Sequence, residues 1–488
     1  MSKLSRVLIF LGALGLVMAV MALLASRSGS RATLQRYKAG LRAKGEKLTY
    51  TELMQGRLTN AVETQAIITN AIAKLGGERL SPGLLLARRC VKPGRATLAW
   101  KQPGPGLIQP PGPGRLGTWA ELEAQMQAVE GILQDIRSAL KDPALDAGPC
   151  TNMLTASRVS VMAIDVAEEW LRVATENDLN HGRLEEALRN LEALAGLALM
   201  ERDEYWGPAQ FIRYSVAGNS LAVTWEALQA PGWTEQQLER LQKAWERVDL
   251  VEALERSFLG RRAHGEEYFA WLRRPGIARR KALYSSVRSG RSPNLSQGLE
   301  EVGMDYLYFP AYKLTSIDAD ELFFLQTVQE GITGLRLLQA HHPWAEARPH
   351  LYQINTNMHE TWSSALGRRY FVSLQVNPDW TYHQESAIQG ECDRQMTLAA
   401  IALKRSQMRH GKLPSSLEAL VSEFLAAVPW DYMSARPLCY RLKDDGSYLL
   451  YSVGLDGKDD GGDPTPVRRF YNSPWDWRDA VWPSPAAD

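Results

Sequence analysis

Apolar and polar positions divide this chain into three regimes. From Val7 to Ala25 an uncharged run (VLIFLGALGLVMAVMALLA) is unbroken for 19 residues, which at ~1.5 Å per helical residue reaches roughly the thickness of a bilayer core. It predicts a membrane helix, either a retained anchor or a signal peptide; the exit at Leu23, Ala25 and Ser26 matches a small-x-small cleavage site poorly. After it, Ala32 to Lys74 reads as helix with a break near Gly56. The stretch Lys101-Gln-Pro-Gly-Pro-Gly-Leu-Ile-Gln-Pro-Pro-Gly-Pro-Gly-Arg115 sustains no regular element, because proline removes donors and glycine adds backbone entropy. From Trp119 the spacing turns helical: Trp119 to Lys141, Asn152 to Glu176, Leu184 to Arg202, Thr234 to Leu259 and Ala319 to Ala340. In the first of these Leu122, Met126, Val129, Ile132, Leu133 and Ile136 form one stripe facing a partner. Long helices joined by short turns such as Pro231-Gly-Trp-Thr234, with no exact repeat, predict a helical bundle.

The pattern changes again near the C-terminus. Asp393 to His410 is helical and stopped by Gly411; a proline and serines then open a short second helix ending at Leu420. Two alternating strands, Pro437 to Leu442 and Ser447 to Val453, flank an Asp-Gly turn and predict a hairpin. The second strand runs into Gly-Leu-Asp-Gly-Lys-Asp-Asp-Gly-Gly-Asp463, where glycines and aspartates alternate in a manner suited to a hard cation.

Composition narrows the picture little. At 488 residues the chain exceeds one core, and 56 Lys+Arg against 55 Asp+Glu leave a net charge of +1, which recruits no nucleic acid. Arg27, Arg31, Arg36, Lys38, Arg42, Lys44 and Lys47 after the apolar run favour retention of the bulk of the chain inside. Four cysteines and a weak calcium-type loop favour the outside face, and that is the reading adopted. The histidines sit in no usable frame: His359-Glu360 lacks a partner four residues on, and His341-His342-Pro343 reads as a helix end. No nucleophile elbow, phosphate loop or dinucleotide fingerprint occurs, so no enzymatic function is expected; a hydrolase with a site around His264 or His359 is the rival. Arginines interleaved with aromatics between Gly260 and Lys313 suit a polyanion grip or, more ordinarily, a surface paired with glutamates. Cys90, Cys150, Cys392 and Cys439 lack zinc or redox spacing; in an exported chain Cys392 pairs with Cys439 and Cys90 with Cys150, and otherwise all are buried thiols.

The segments LKRSQMRHGKLPSSLEAL, VPWDYMSARPLCYRL and YLLYSVGLDGKDDGGD together resemble the periplasmic globular domain of the major pseudopilins of type II secretion systems, over about 75 of 488 residues. The resemblance implies a helix, a hairpin and a calcium loop whose ligands fall on the Val453 carbonyl, Asp456 and Asp463, with Asp459 or Asp460 added. The family's Asp-Pro-Trp-Gly turn is altered here to Pro-Trp-Asp-Tyr, and no acidic residue precedes Glu46, so the prepilin processing site is missing. The layout as a whole also looks like large anchored bacterial proteins of unknown function. The expected architecture is mainly α: a membrane anchor over 1–26, a juxtamembrane helical segment over 27–92, a Pro/Gly linker over 93–118, a helical domain over 119–385, and an α+β pseudopilin-like module over 386–488. The expected role is a structural or interaction protein held in the inner membrane by residues 7–25, with its mass in the periplasm and a protein partner in the envelope. An accessory component of a type II secretion-like system is the alternative.

Overall fold

The structure is a computed structural model that describes residues 27–55, 61–75, 87–105, 117–143, 158–274, 309–363, 370, 373, 381–467 and 473–486. It is mainly α. The apolar run 7–25, Cys150 and most of the basic-aromatic segment lie outside the described residues. Among the described residues no helix is long and apolar enough to cross a membrane.

In chain order the helices are α1 (27–43), α2 (Tyr50–Met54), α3 (Ala61–Lys74), α4 (Trp119–Ala139), α5 (Arg158–Asn180), α6 (Leu184–Leu199), α7 (Gly207–Leu228), α8 (Glu235–Glu246), α9 (Val251–Arg273), α10 (Phe309–Thr315), α11 (Ile317–Gln339), α12 (Trp344–Ser363) and α13 (Thr381–His410). The strands are β1 (Cys90–Lys92), β2 (Arg95–Ala96), β3 (Trp430–Asp431), β4 (Arg436–Pro437), β5 (Cys439–Leu442), β6 (Tyr448–Ser452), β7 (Ala480–Val481) and β8 (Ser484–Pro485). Local signals start and stop them. Thr49 with Glu52, Thr118 with Glu121 and Thr234 with Gln237 form capping boxes. At the end of α11, His341 takes the left-handed conformation (φ 63°) usual for glycine, with His342 N–H bonded to Leu337 O and His341 N–H to Leu338 O, a Schellman ending. The expectation that these histidines mark a helix end therefore holds.

Two compact units form. The smaller takes residues 1–56, 258–332 and 352–380; the larger takes 57–257, 333–351 and 381–488. In the smaller unit Leu34, Leu41, Phe258, Phe269, Phe324 and Val328 are buried. Gly265 is required there, since a Cβ would lie 2.0 Å from the Phe324 ring. Of the arginines in the basic-aromatic segment, Arg262 is fully buried and pairs with Glu46 at 2.7 Å, and the exposed Arg273 pairs with Asp318 at 2.6 Å, the pairing with acids that was the more ordinary expectation.

In the larger unit α5, α6 and α7 pack on one another, α8 packs on α6, and α13 lies against α7 and α8. Leu188, Leu191, Leu194, Leu221, Trp225, Leu238, Leu241, Trp245, Ile401 and Leu403 fill this core. Among the described residues three small sheets decorate it, in the orders β1-β2-β8, β3-β4 and β5-β6-β7. The hairpin predicted across Asp-Gly is β5-β6, with Cys439 opposite Tyr451 and Leu442 opposite Tyr448.

Two expected boundaries are corrected. Residues 95–101 are not linker: β2 pairs with β1 and, in parallel, with β8, and Ala96, Leu98, Ala99 and Trp100 are buried, because the C-terminal strand and α7 supply partners that local sequence does not reveal. No break between compact units falls at 385/386, since 381–488 shares its core with 57–257. Arg394 Nη1 donates to Trp245 O at 3.0 Å and Arg405 pairs with Glu235 at 2.8 Å, so α13 is a core helix of the bundle as well as the first element of the C-terminal segment.

Candidate functional site: the aspartate loop

The loop begins where β6 ends. Ser452 and Val453 are buried, and both are held by Asp431 of β3: Oδ1 accepts from Ser452 Oγ at 2.7 Å and Oδ2 from Val453 N–H at 3.1 Å. Asp431 also accepts from Met433 N–H and Ser434 Oγ, at 3.0 and 3.2 Å. Its carboxyl is wholly buried, and desolvation raises its pKa although these bonds pull it down. This residue stands in the altered Pro-Trp-Asp-Tyr turn, which thus works as a buried bracket for the end of the hairpin.

Beyond Val453 the backbone turns on glycines. Gly454 has φ 74°, and a Cβ there would lie 2.4 Å from Arg478 O. Gly462 has φ 80°, with Leu449 Cδ2 only 2.5 Å from its hypothetical Cβ.

The loop's organiser is Asp479, just before β7. It is fully buried, and its Oδ2 accepts Gly462 N–H at 2.8 Å and Asp463 N–H at 2.9 Å, while Oδ1 lies 3.4 Å from Asp460 N. Its own N–H returns a bond to Asp463 O at 3.1 Å. Burial lifts its pKa and the loop amides oppose that rise.

The five residues expected to hold calcium are placed on one loop but not drawn to one point. Asp456 accepts from Lys458 N–H at 3.0 Å, a local turn. Asp459 accepts from Tyr451 Oη and from Gly461 N–H, both at 2.9 Å. Asp463 accepts from Thr465 Oγ1 at 2.6 Å and its N–H at 2.9 Å, bonds that lower its pKa. Arg478 lies 3.7 Å from Asp460 and 3.6 Å from Asp463. Val453 turns its N–H to Asp431. Among the described residues no three His, Cys, Asp or Glu side chains gather in a group able to hold a metal ion. Hydroxyls, amides and Arg478 lie against these carboxylates.

Cys392 and Cys439, expected as a disulfide, are free thiols. The reason lies in what each sulfur faces: Cys392 Sγ is 3.7 Å from Asp431 Oδ1 in the core, and Cys439 Sγ is 4.0 Å from Asp459 Oδ2 at the surface. Burial raises both thiol pKa values, which keeps them protonated. Cys90 is likewise a buried free thiol, pushed up to about 12.

Of the histidines weighed for chemistry, His264 is pulled down by burial and by Arg261. His342 pairs with Glu346 at 2.8 Å on an exposed helix start, and the His359 side chain lies outside the described residues.

Sequence reasoning missed Asp431 and Asp479. Each is a lone acid beside tryptophans, in Pro-Trp-Asp-Tyr and Trp-Arg-Asp-Ala-Val-Trp, and an acid set among large apolar residues is the signal that could have marked them. Comparison with known proteins finds no matching family model, no matching curated protein and no matching solved structure.

Proposed function

We propose that this is a single-pass envelope protein, anchored at its N-terminus in the inner membrane, with a structural or interaction role carried by a periplasmic helical body. The observation that carries the reading is the uncharged run Val7–Ala25 ahead of a large folded mass. The interior supports it. The acids Asp431 and Asp479 bind main-chain amides of their own fold, which is the use a structural body makes of buried carboxylates. The order of α13, the β5-β6 hairpin and the glycine-aspartate loop favours a second reading, an accessory that docks on pseudopilin-like subunits. An export-dependent reporter fused after Asp488 in a two-membrane bacterium tests the location. Activity that requires export is expected, and a reporter active only in the cytoplasm would sink the proposal.

A further inference from the structure

Helix α1 starts just beyond the uncharged run Val7–Ala25, in a stretch that carries cations and no acids: ahead of Glu46 the chain holds no aspartate or glutamate. Leu34, Lys38 and Leu41 recur at helical spacing and are buried, so this side of α1 is fixed to the smaller unit. Lys38 belongs to that inner side and pairs with Glu266 of α9 and Glu321 of α11. The outward positions Ser28, Ala32, Gln35, Ala39 and Ala43 are exposed and uncharged, and a Cβ at Gly29 or Gly40 would meet nothing within 4 Å.

Cations flank this outward side. Arg31 and Arg36 are exposed on the helix, and Lys44 and Lys47 are exposed where it closes. The closing turn is well defined: Glu46 N–H bonds to Leu41 O at 3.1 Å and Gly45 N–H to Arg42 O at 2.9 Å, with Gly45 at φ 81°. The guanidinium of Arg36 bonds only within its own helix, to Ala32 O at 3.5 Å and Thr33 Oγ1 at 3.3 Å. Arg42 has Glu52 at 3.6 Å, but among the described residues no ion pair engages Arg31, Arg36, Lys44 or Lys47. Like charges gathered on a rigid edge repel until a counter-charge meets them.

We propose that α1 and its closing turn hold the phosphate groups of anionic phospholipids at a membrane surface. The inference rests on the membrane reading of Val7–Ala25. At ~1.5 Å per residue Arg31 and Arg36 stand about 6 and 14 Å from the start of α1, and charge attraction extends over a screening length of ~8–10 Å. Arginine meets phosphate oxygens through paired N–H groups and lysine as a point charge, while the small outward residues let headgroups come close to the backbone. A nucleic acid is disfavoured, because the basic stretch adjoins an apolar run and a net charge of +1 gives the chain no wider field to draw one.

The test is electron paramagnetic resonance on the full chain in vesicles of phosphatidylcholine and phosphatidylglycerol, with one lipid or the other spin-labelled. The fraction of each label slowed by the protein is measured. Phosphatidylglycerol is expected to be preferred by about fivefold or more, the worth of one cation at an anionic surface. Neutralising the four exposed cations together (Arg31→Gln, Arg36→Gln, Lys44→Gln, Lys47→Gln) is expected to bring the preference close to one with the thermal transition unchanged. Exchanging them for the other cation (Arg31→Lys, Arg36→Lys, Lys44→Arg, Lys47→Arg) is expected to retain it. Salt at roughly 1 M, where the screening length is ~3 Å, is expected to remove it. Equal slowing of both lipids by the natural chain, or a preference that survives neutralisation, overturns this proposal and leaves the membrane anchor standing. Slowing of neither lipid overturns both.

Discussion

Asp479 carries more of the C-terminal loop than any of the acids inside that loop. Asp456 is exposed and bonds only to a neighbouring amide, whereas Asp479 is buried and accepts amides of the loop at 2.8 and 2.9 Å. Removing a buried acceptor strands its donors, so Asp479→Ala is expected to cost roughly 2–4 kcal/mol, against less than about 0.5 kcal/mol for Asp456→Ala. Urea unfolding of the two variants checks the ranking, and a larger loss for Asp456→Ala would refute it. Because Arg478 and local donors already meet the loop carboxylates, added calcium is expected to leave the melting temperature of the full chain unmoved, as followed by circular dichroism. At this scale the sequence was half legible. The glycines that permit the turn announced themselves, since Gly454 and Gly462 tolerate no Cβ. The acids that hold it did not, because clustering along the chain draws attention to exposed charge, while the decisive carboxylates are single residues brought to the loop from β3 and from the approach to β7.

Among the elements, α5 and α7 are joined by a pair of acids. Glu176 and Glu226 are both buried, and the charge of Glu226 adds to the burial that lifts the Glu176 pKa. Glu226 also accepts Arg88 N–H at 2.9 Å and Ala99 N–H at 2.7 Å, which marks it as the carboxylate and Glu176 as the proton carrier. Burial raises the pKa of both. Glu168, about two turns earlier on α5, is also raised by burial, to about 7, despite Arg172 at 3.1 Å. The sign follows from proton counting. An acid with a raised native pKa binds more protons folded than unfolded between its two pKa values, so stability is full below the unfolded value and falls as pH rises through the window. The chain is therefore expected to lose stability between pH ~4.5 and ~7. Glu176→Gln, whose amide donates permanently to Glu226, is expected to flatten that slope and to gain roughly 1–3 kcal/mol at pH 8. Denaturant midpoints across pH measure both effects; a steeper slope in the variant would remove the dyad as the cause. The helix that bears Glu226 is also one that periodicity failed to reveal. α7 is buried on nearly every side, from Ala209 and Arg213 to Trp225 and Leu228, so no polar stripe alternates with an apolar one. α12 hid for a different reason, with Pro349 inside it. The β5-β6 hairpin was legible because one Asp-Gly turn and two alternating strands carry all the information it needs.

For the whole molecule, the C-terminal segment resembles a separable module in sequence and is an integral part of the larger unit in structure. Local patterns define its helix and hairpin, but its apolar faces are closed by residues far away: Gln242 Nε2 donates to Phe424 O at 2.6 Å, and Trp225 Nε1 to Pro483 O at 3.0 Å. A fragment spanning Glu391 to Asp488 would expose those faces, and it is expected to be unfolded by circular dichroism at concentrations where the full chain is folded. A cooperative transition in the fragment would contradict this account of the core.

The parallel pairing of β2 with β8 has a consequence for the timing of synthesis. Arg95 lies opposite Ser484 and its guanidinium reaches Pro485 O at 3.1 Å, across 390 positions of chain. A ribosome exposes the first of these partners long before the second exists, so the β1-β2 hairpin must wait, unpaired along one edge, until Ser484 and Pro485 have been made. Closure of the larger unit thus has to follow the synthesis of β8, and nascent chains stalled before Ala480 should still be cut by protease near Trp100 when the released protein resists.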